Sequence, residues 1–466
     1  MAEGDLDGVK NRLADALRAS RADFTEIRLE RTWASTVAFR GSRLEGATAA
    51  REVGGMVRCL NHGKGWGIAS FTGVDRLPAM VARAHELSLA VPLDAPLRLA
   101  EIPIRTADHA SDLDGDVREV PLAAKRELLE RLNQEMLASD RRIVDSRATY
   151  EDRVVERWLA TSSGAMLSDL RPEVRLAAAA MAREEGFLER ALESWAVRGG
   201  WRSAQDTDHL FRAAARRAIA LLSAPKVKAG TYPVVLDPRC LAALLHQTLG
   251  HLSEADTLGD RAELDQLMRP GRRVASDLLT VGDDGSASSL PGSMPFDDEG
   301  APTQNTLLVQ HGVLVGRLHT RETAGRAGTR PTGNARAGSF RQAPSARLTN
   351  TYVASGQGSL EDLLRPIRHG LYCCDAMGGD VHQGRFTLTT GFGQLIRDGR
   401  LAETVRPMVL TGDVAETLQR LDAVAGDFRW NLQATSCGRP ASGRIPVADG
   451  GPHVRVDGVV VGGDSA

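Results

Sequence analysis

The stretch LLHQTLGHLSEAD, Leu244 to Asp256, holds two histidines, His246 and His251, with Gln247 directly after the first. Zinc accepts neutral imidazole nitrogen and thiolate sulfur, and a catalytic zinc site keeps one position open. The two histidines are five residues apart, whereas the common hydrolase arrangement sets them four apart on one helical face. At about 100° per residue, five residues rotate by roughly 140°, so a regular helix splits the pair. The imidazoles converge only if the helix ends or bulges between them, and Gly250 offers that freedom. Without convergence, two imidazoles in an apolar segment simply satisfy buried polar groups.

A third donor would change that balance. Cys437, in SCGRPASGRIPV, is the best placed, because a Ser/Gly-rich turn can present a thiolate. Cys373 and Cys374 compete, although adjacent cysteines in LYCCDAM are expected to alternate across a strand. His311, His319 and His453 sit in turn or strand contexts with no evident partner and read as structural.

The elements around these residues follow from pattern. Residues 5–20 carry apolar positions at helical spacing. Residues 24–70 alternate apolar and polar side chains and read as a strand meander, with turns at Arg40-Gly41 and Asn61-His62-Gly63. Helix is expected over 73–89, 121–139 and 206–223, with further strands up to about 182. Pro92, Pro96 and Pro103 mark a linker near 92–118. The strand Thr231–Leu236 then meets Asp237, a plausible N-cap, and Pro238, a plausible first helical residue. The apolar helix that follows carries the histidines. The polar region 257–305 reads as loops. Beyond it come short strands with hairpin turns at His311-Gly312, Asp398-Gly399 and Asp457-Gly458. The expected fold is therefore α+β: an N-terminal α/β meander region, 1–223, and a mainly antiparallel C-terminal β-sheet domain, 224–466, carrying the metal-site helix.

Composition sets the outer bounds. A chain of 466 residues can form two or three domains and a sizeable core. Lys+Arg number 58 against 60 Asp+Glu, and aromatics are 4%, so no basic excess or stacking platform points to nucleic acid. The N-terminus lacks the basic and apolar regions of a signal peptide, and no window approaches the ~18 apolar residues of a membrane helix. Five scattered cysteines fit reduced thiols. The expected compartment is the cytoplasm.

Several blocks, in order and spacing, resemble the TldD/PmbA family of zinc metallopeptidases, and specifically its TldD-type subunit. They include ADFTEIRLER, YPVVLDPRCLAALLHQTLGHLSEAD, FDDEGAPTQNTLLVQHGVLVGRLHTRETA, PTGNAR, RLTNTYV, GQLIRDGRLAETVRPMVLTGD, LDAVAGD and CGRPASGRIPVADGGPHVRVDG. The resemblance implies a motif of histidine, glutamate, three free positions and histidine, completed by a C-terminal cysteine. His246, His251 and Cys437 match the zinc ligands. It also implies peptides or unfolded protein segments as substrates. The implied partner is a PmbA/TldE-type subunit that lacks the metal, or a second copy in a homodimer.

Two departures stand out. Gln247 occupies the position of the family's glutamate, the general base that deprotonates the attacking water. Glutamine keeps the size but cannot accept a proton near neutral pH. It reads as natural in a relative recruited to another task, or as a Glu→Gln change made to trap substrate. Glu254 or Asp256 could stand in as base, but both match acidic positions of the family pattern and read as supporting groups. The alternative to a weakened peptidase is a non-hydrolytic or non-catalytic TldD-like subunit serving a natural-product pathway or peptide binding. The second departure is Gly384-Arg385-Phe386 with His382, where the family resembles Gly-Asp-Phe.

Overall fold

The computed structural model describes residues 8–93, 95–111, 113–258, 268–382, 384–439 and 442–462. Alternating residues build an antiparallel meander of β1 (Phe24–Arg40), β2 (Arg43–Leu60) and β3 (Trp66–Thr72). Its turns fall at the expected places, where Gly41 and Gly63 take φ of 51° and 67°. The stretch 92–118 is more than a linker, because it contributes β4 (Thr106–His109). Two long strands follow, β5 (Ile143–Thr161) and β6 (Met166–Glu184), and then β7 (Phe187–Val197), beyond the expected limit near 182. All seven form one sheet, in which β4 runs parallel to β6.

β6 has 19 residues, so it spans about 60 Å at about 3.3 Å per residue. The longest helix, α3, is far shorter, and one helical layer cannot cover the sheet. Two cores form instead. Leu13 of α1 (Val9–Arg18) and Val81 of α2 (Leu77–Leu89) pack on Ile27, Leu29 and Val57. Leu129 and Leu132 of α3 (Leu122–Ala138) pack with Tyr150 and Leu176, joined by a short α4 (Trp201–Gln205) and by Phe211 of α5 (Asp208–Leu222).

The second half is built around β8 (Gly230–Leu236) inside a nine-stranded sheet. β8 is antiparallel to Val454–Gly462 and parallel to His369–Cys374. It feeds α6 (Pro238–Leu245), where Asp237 accepts the Cys240 N–H at 2.7 Å and Pro238 opens the helix, as its sequence implies. Cys240, Leu241, Leu244 and Leu245 are buried in the largest core. A six-stranded sheet closes that core through Asn350–Val353 and Ala448–Gly451. The architecture is mixed α+β with mostly antiparallel pairing.

Two local expectations are corrected. The region 257–305 holds a strand, Val281–Asp284, whose buried Asp283 carboxylate accepts the Thr349 N–H at 2.9 Å. A polar strand of this kind hides from hydrophobic patterning. Residues 259–267 of that region lie outside the described residues. Asp457-Gly458 is not a hairpin turn. The strand Val454–Gly462 runs straight through it, with a register shift against β8 between Val456 and Val459, so the pair forms a bulge. His311-Gly312 and Asp398-Gly399 do close hairpins. Besides the metal-site helix, the C-terminal half carries short helices at Arg321–Ala327, Leu360–Leu364 and Val414–Gln419.

Buried ion pairs tie the two halves together. Arg157 of β5 pairs with Asp169 at 2.7 Å and with Asp298, which Arg171 also reaches at 3.3 Å. Arg58 of β2 bridges Glu26 at 2.7 Å and Glu299 at 2.8 Å. Burial opposes the Asp298 carboxylate, but Arg171, Arg157 and Arg28 prevail and hold it well below the usual carboxylate range. A depressed carboxylate stabilises the fold above its unfolded pKa and loses that contribution as pH falls. Asp298→Asn should therefore cost about 3–5 kcal/mol at neutral pH, because it leaves buried guanidinium charge uncompensated. Urea unfolding measures this, and a loss under about 1 kcal/mol would refute the role.

Candidate metal centre

α6 does not continue as a regular helix. Residues His246–Gly250 form a π turn, and the His251 N–H donates to the His246 carbonyl. This i→i+5 bond winds the backbone wider than an α-helix, which brings residue i+5 back over residue i. The rings of His246 and His251 meet with centroids 5.0 Å apart and planes at 89°. The expected bulge is present, but Gly250 serves it differently. Its φ of −58° and ψ of −62° are ordinary right-handed values. A Cβ there would lie 2.9 Å from Leu348 Cδ1 and 3.3 Å from the Leu245 carbonyl. The position needs space rather than backbone freedom. Thr248 and Ser253 tighten the flanks by donating to the carbonyls of Leu244 and Leu249, at 2.8 and 2.7 Å.

The third donor arrives on a hairpin of Ser436–Arg439 and Gly443–Pro446, in which Cys437 pairs with Ile445. Cys437 Sγ lies 3.3 Å from Nε2 of each histidine. All three donor atoms fall within 4.8 Å of one another, and this is the one such cluster among the described residues. Tetrahedral zinc, with bonds of about 2.0 Å to nitrogen and 2.3 Å to sulfur, sets N and S roughly 3.5 Å apart. The donor set and its spacing fit that metal.

Each imidazole is held from behind by a carboxylate. His246 Nδ1 is 3.1 Å from Asp449 Oδ1, and His251 Nδ1 is 3.3 Å from Glu254 Oε2. These partners orient each ring so that its Nε2 faces Cys437. Glu254 is fully buried and occupied at both oxygens. Oε2 also pairs with Arg439, while Oε1 accepts the Leu348 N–H at 3.3 Å and lies 3.6 Å from Arg347 Nε. Asp256 accepts the Ala346 N–H at 2.7 Å. Gln247 is half-buried in the π turn, and its amide makes no hydrogen bond among the described residues.

Sequence reasoning did not find Asp449 or Arg439. Asp449 lies in the small-residue strand Ala448–Gly451, and an acid between small residues is a weak signal. Cys373 and Cys374 stay out of the cluster; both are buried in His369–Cys374, where burial pushes their thiols up. His453 has partners after all, Asp427 at 2.6 Å and the Tyr372 hydroxyl at 2.9 Å. His319 meets Thr323, and His311 sits in its turn with φ of 47°. The segment with His382 and Arg385 forms a hairpin of Gly378–His382 and Arg385–Thr389, and its first strand lies against the π turn.

Burial alone would push the Cys437 thiol up, but hydrogen bonds from His246 and His251, and their charge, hold it down to about 5. Burial likewise opposes the His246 imidazolium, yet Asp449 and then Cys437 hold it well above the usual range. In the metal-free cluster, thiolate and imidazolium thus favour one another. Its thiolate ultraviolet absorbance should titrate near pH 5 in metal-free protein. His246→Ala should move that midpoint upward. A midpoint in the ordinary thiol range of about 8.5 would refute the arrangement.

Comparison with known proteins gives the chain its relatives. Models of the PmbA/TldA metallopeptidase domains match residues 25–88, 115–222 and 229–463, the last being the C-terminal domain. A metalloprotease of Synechocystis sp. is 35% identical over 96% of both chains. A protein of Saccharolobus solfataricus named a zinc metalloprotease TldD homolog is 31% identical over 53% of this chain and 55% of its own. Among solved structures, TldE of Thermococcus kodakarensis shares the fold with a TM-score of 0.77 at 17% identity, covering 97% of this chain and 99% of its own. Half of the chain matched by one domain model, together with a full-length relative at this identity, places the protein in the PmbA/TldD metallopeptidase family.

Proposed function

We propose that this chain is a TldD-like, zinc-dependent metallopeptidase subunit acting on peptides or unfolded protein segments. The convergence of His246, His251 and Cys437 over a π turn carries this reading, since it aligns three zinc-type donors. His246, His251 and Cys437 would hold the metal, with Asp449 and Glu254 fixing the imidazoles. Bound zinc supplies a Lewis acid that polarises a carbonyl and lowers the pKa of a water.

Gln247 stands where a base is wanted and cannot take the proton. Glu254 does not replace it, because both of its oxygens are engaged away from the donors. Hydrolysis in this chain is therefore weak or absent. That single residue also favours the second reading, a non-hydrolytic TldD-like subunit that holds a peptide, in a natural-product pathway or as a binding component.

The TldE fold supports pairing with a PmbA/TldE-type subunit, and a homodimer is the other arrangement consistent with the reading. All five cysteines are free and buried, which fits the reducing cytoplasm. Among the described residues, no helix is long and apolar enough to cross a membrane.

Three outcomes test the proposal. Purified protein should contain one zinc per chain by elemental analysis, and Cys437→Ser should lose it; a zinc-free chain would defeat the ligand assignment. Asp449→Asn should weaken zinc about 10–100-fold in a chelator competition. Gln247→Glu, assayed with the partner subunit, should raise peptide cleavage by about 10²–10⁴-fold. Equal cleavage by the two forms would defeat the missing-base argument.

A further inference from the structure

Behind the Cys437 hairpin lies a cleft between the first sheet and the second half of the chain. It encloses about 60 Å³ and is lined by Arg153, Arg157, Arg171, Arg198 and Arg336. Two acids, Glu30 and Glu173, share the lining. The ion pairs inside it can be followed one by one. Arg157 and Arg171 are matched by Asp169 and Asp298. Glu30 is taken by Arg28 at 3.2 Å and by the Phe340 N–H at 3.1 Å. Glu173 lies 3.5 Å from Arg175.

Three guanidinium groups are left without a carboxylate in ion-pair range among the described residues. Arg153 reaches only the Gly338 carbonyl, at 3.5 Å. Arg336 is 3% exposed and donates only to the carbonyls of Leu348 and Pro446. The Nε of Arg198 is buried and has no hydrogen-bond partner. Carbonyl dipoles do not neutralise a buried cation, so the cleft keeps an excess of positive charge that only an anion would offset. Burial, and then the charge of Arg171, press Arg198 down to about 10 and Arg336 down to about 9.

The cleft adjoins the metal centre. Ile445 lines it and pairs directly with Cys437 across the hairpin, a strand spacing of about 4.8 Å. Arg336 holds the Leu348 carbonyl, and the Leu348 N–H holds Glu254 behind His251. On the other side, Arg153, Glu173 and Pro446 are shared with a wider groove of about 290 Å³ that reaches Ser436 and Arg444. At about 3.3 Å per extended residue, a peptide positioned at the cluster would bring its next one or two residues to the edge of the cleft at Ile445. Guanidinium forks match carboxylates in bidentate geometry.

We propose that this arginine cleft is a carboxylate-binding subsite, which selects peptides carrying a free C-terminal carboxylate or an acidic side chain one or two residues from the bond held at the metal centre. The inference rests on the peptidase reading for the identity of the ligand, and on the unmatched arginines for its charge. Arg198 is the residue it depends on most.

Equilibrium binding to the full chain tests it with three fluorescently labelled peptides: trialanine with a free carboxylate, its C-terminal amide, and an amide ending in glutamate. Fluorescence anisotropy should show the free acid binding about tenfold or more tighter than the neutral amide, the scale of one charge-assisted hydrogen bond. Arg198→Gln should bring that ratio close to one, and Glu173→Gln should increase it by removing a nearby negative charge. Tight binding of the glutamyl amide would assign the carboxylate to a side chain; neutral-like binding of it would assign the C-terminus. Equal binding of acid and neutral amide by the unaltered chain overturns the proposal, as does an acid preference that Arg198→Gln leaves intact. If Arg198→Gln does not fold, the unaltered chain and Glu173→Gln still decide the matter. Zinc content measured on the same samples reports separately on the metal reading, since a zinc-free chain with an intact acid preference would sink only the latter.

Discussion

Two imidazoles five residues apart on one helix can share a point only if the helix widens by a residue between them. The hydrogen bond from His251 N–H to the His246 carbonyl is that widening, and much of the second half is arranged to permit it. A wide turn needs room along its wall, and Gly250 gives that room to Leu348. Leu348 in turn places the backbone that holds Glu254, and Glu254 holds His251. The turn sits at the end of α6, whose apolar residues lock it in the largest core. The strand that follows the Cys437 hairpin passes against α6 and carries Asp449 to His246. Thiolate and carboxylate therefore arrive on one continuous stretch of chain, and the position of α6 sets both.

The electrostatics of the cluster pull in two directions. Asp449 and Glu254 stabilise protonated imidazoles, and the imidazoles stabilise the Cys437 thiolate. Zinc needs the thiolate but neutral imidazoles, so loading it displaces protons and strengthens as pH rises. The same carboxylates that hold those protons also fix the ring orientation. The cations Arg439 and Arg347 hold the Glu254 carboxylate in place inside a buried site. An acid tied down in this way orients a ligand and takes no part in moving substrate protons.

Much of the fold could be read from local chemistry. The alternation over β1 and β2, the Asp237-Pro238 start of α6 and the hairpin turns with glycine at positive φ all act within a few residues, where sequence pattern is informative. The donors were legible for a similar reason: zinc's preferences narrow the residue types, and family resemblance supplied their pairing. What escaped is set by distant parts of the chain. Val281–Asp284 is a strand because Asp283 satisfies Thr349, not because its residues alternate. Asp457-Gly458 has the composition of a hairpin turn, yet β8 holds both of its flanks in one ladder and turns the extra residue into a bulge. Asp449 gained its role only when a strand near the chain end was laid beside α6.

Gln247 occupies a site in which everything else needed to hold a metal is present. Three donors, two orienting carboxylates, a π turn and a glycine matched to Leu348 all meet there. A glutamine beside that cluster changes one thing: it offers an N–H donor where glutamate would offer a proton acceptor. If Gln247 weakens cleavage as proposed, holding a peptide weighs more than cutting it, and the proposed arginine subsite beside the hairpin would choose which peptide is held.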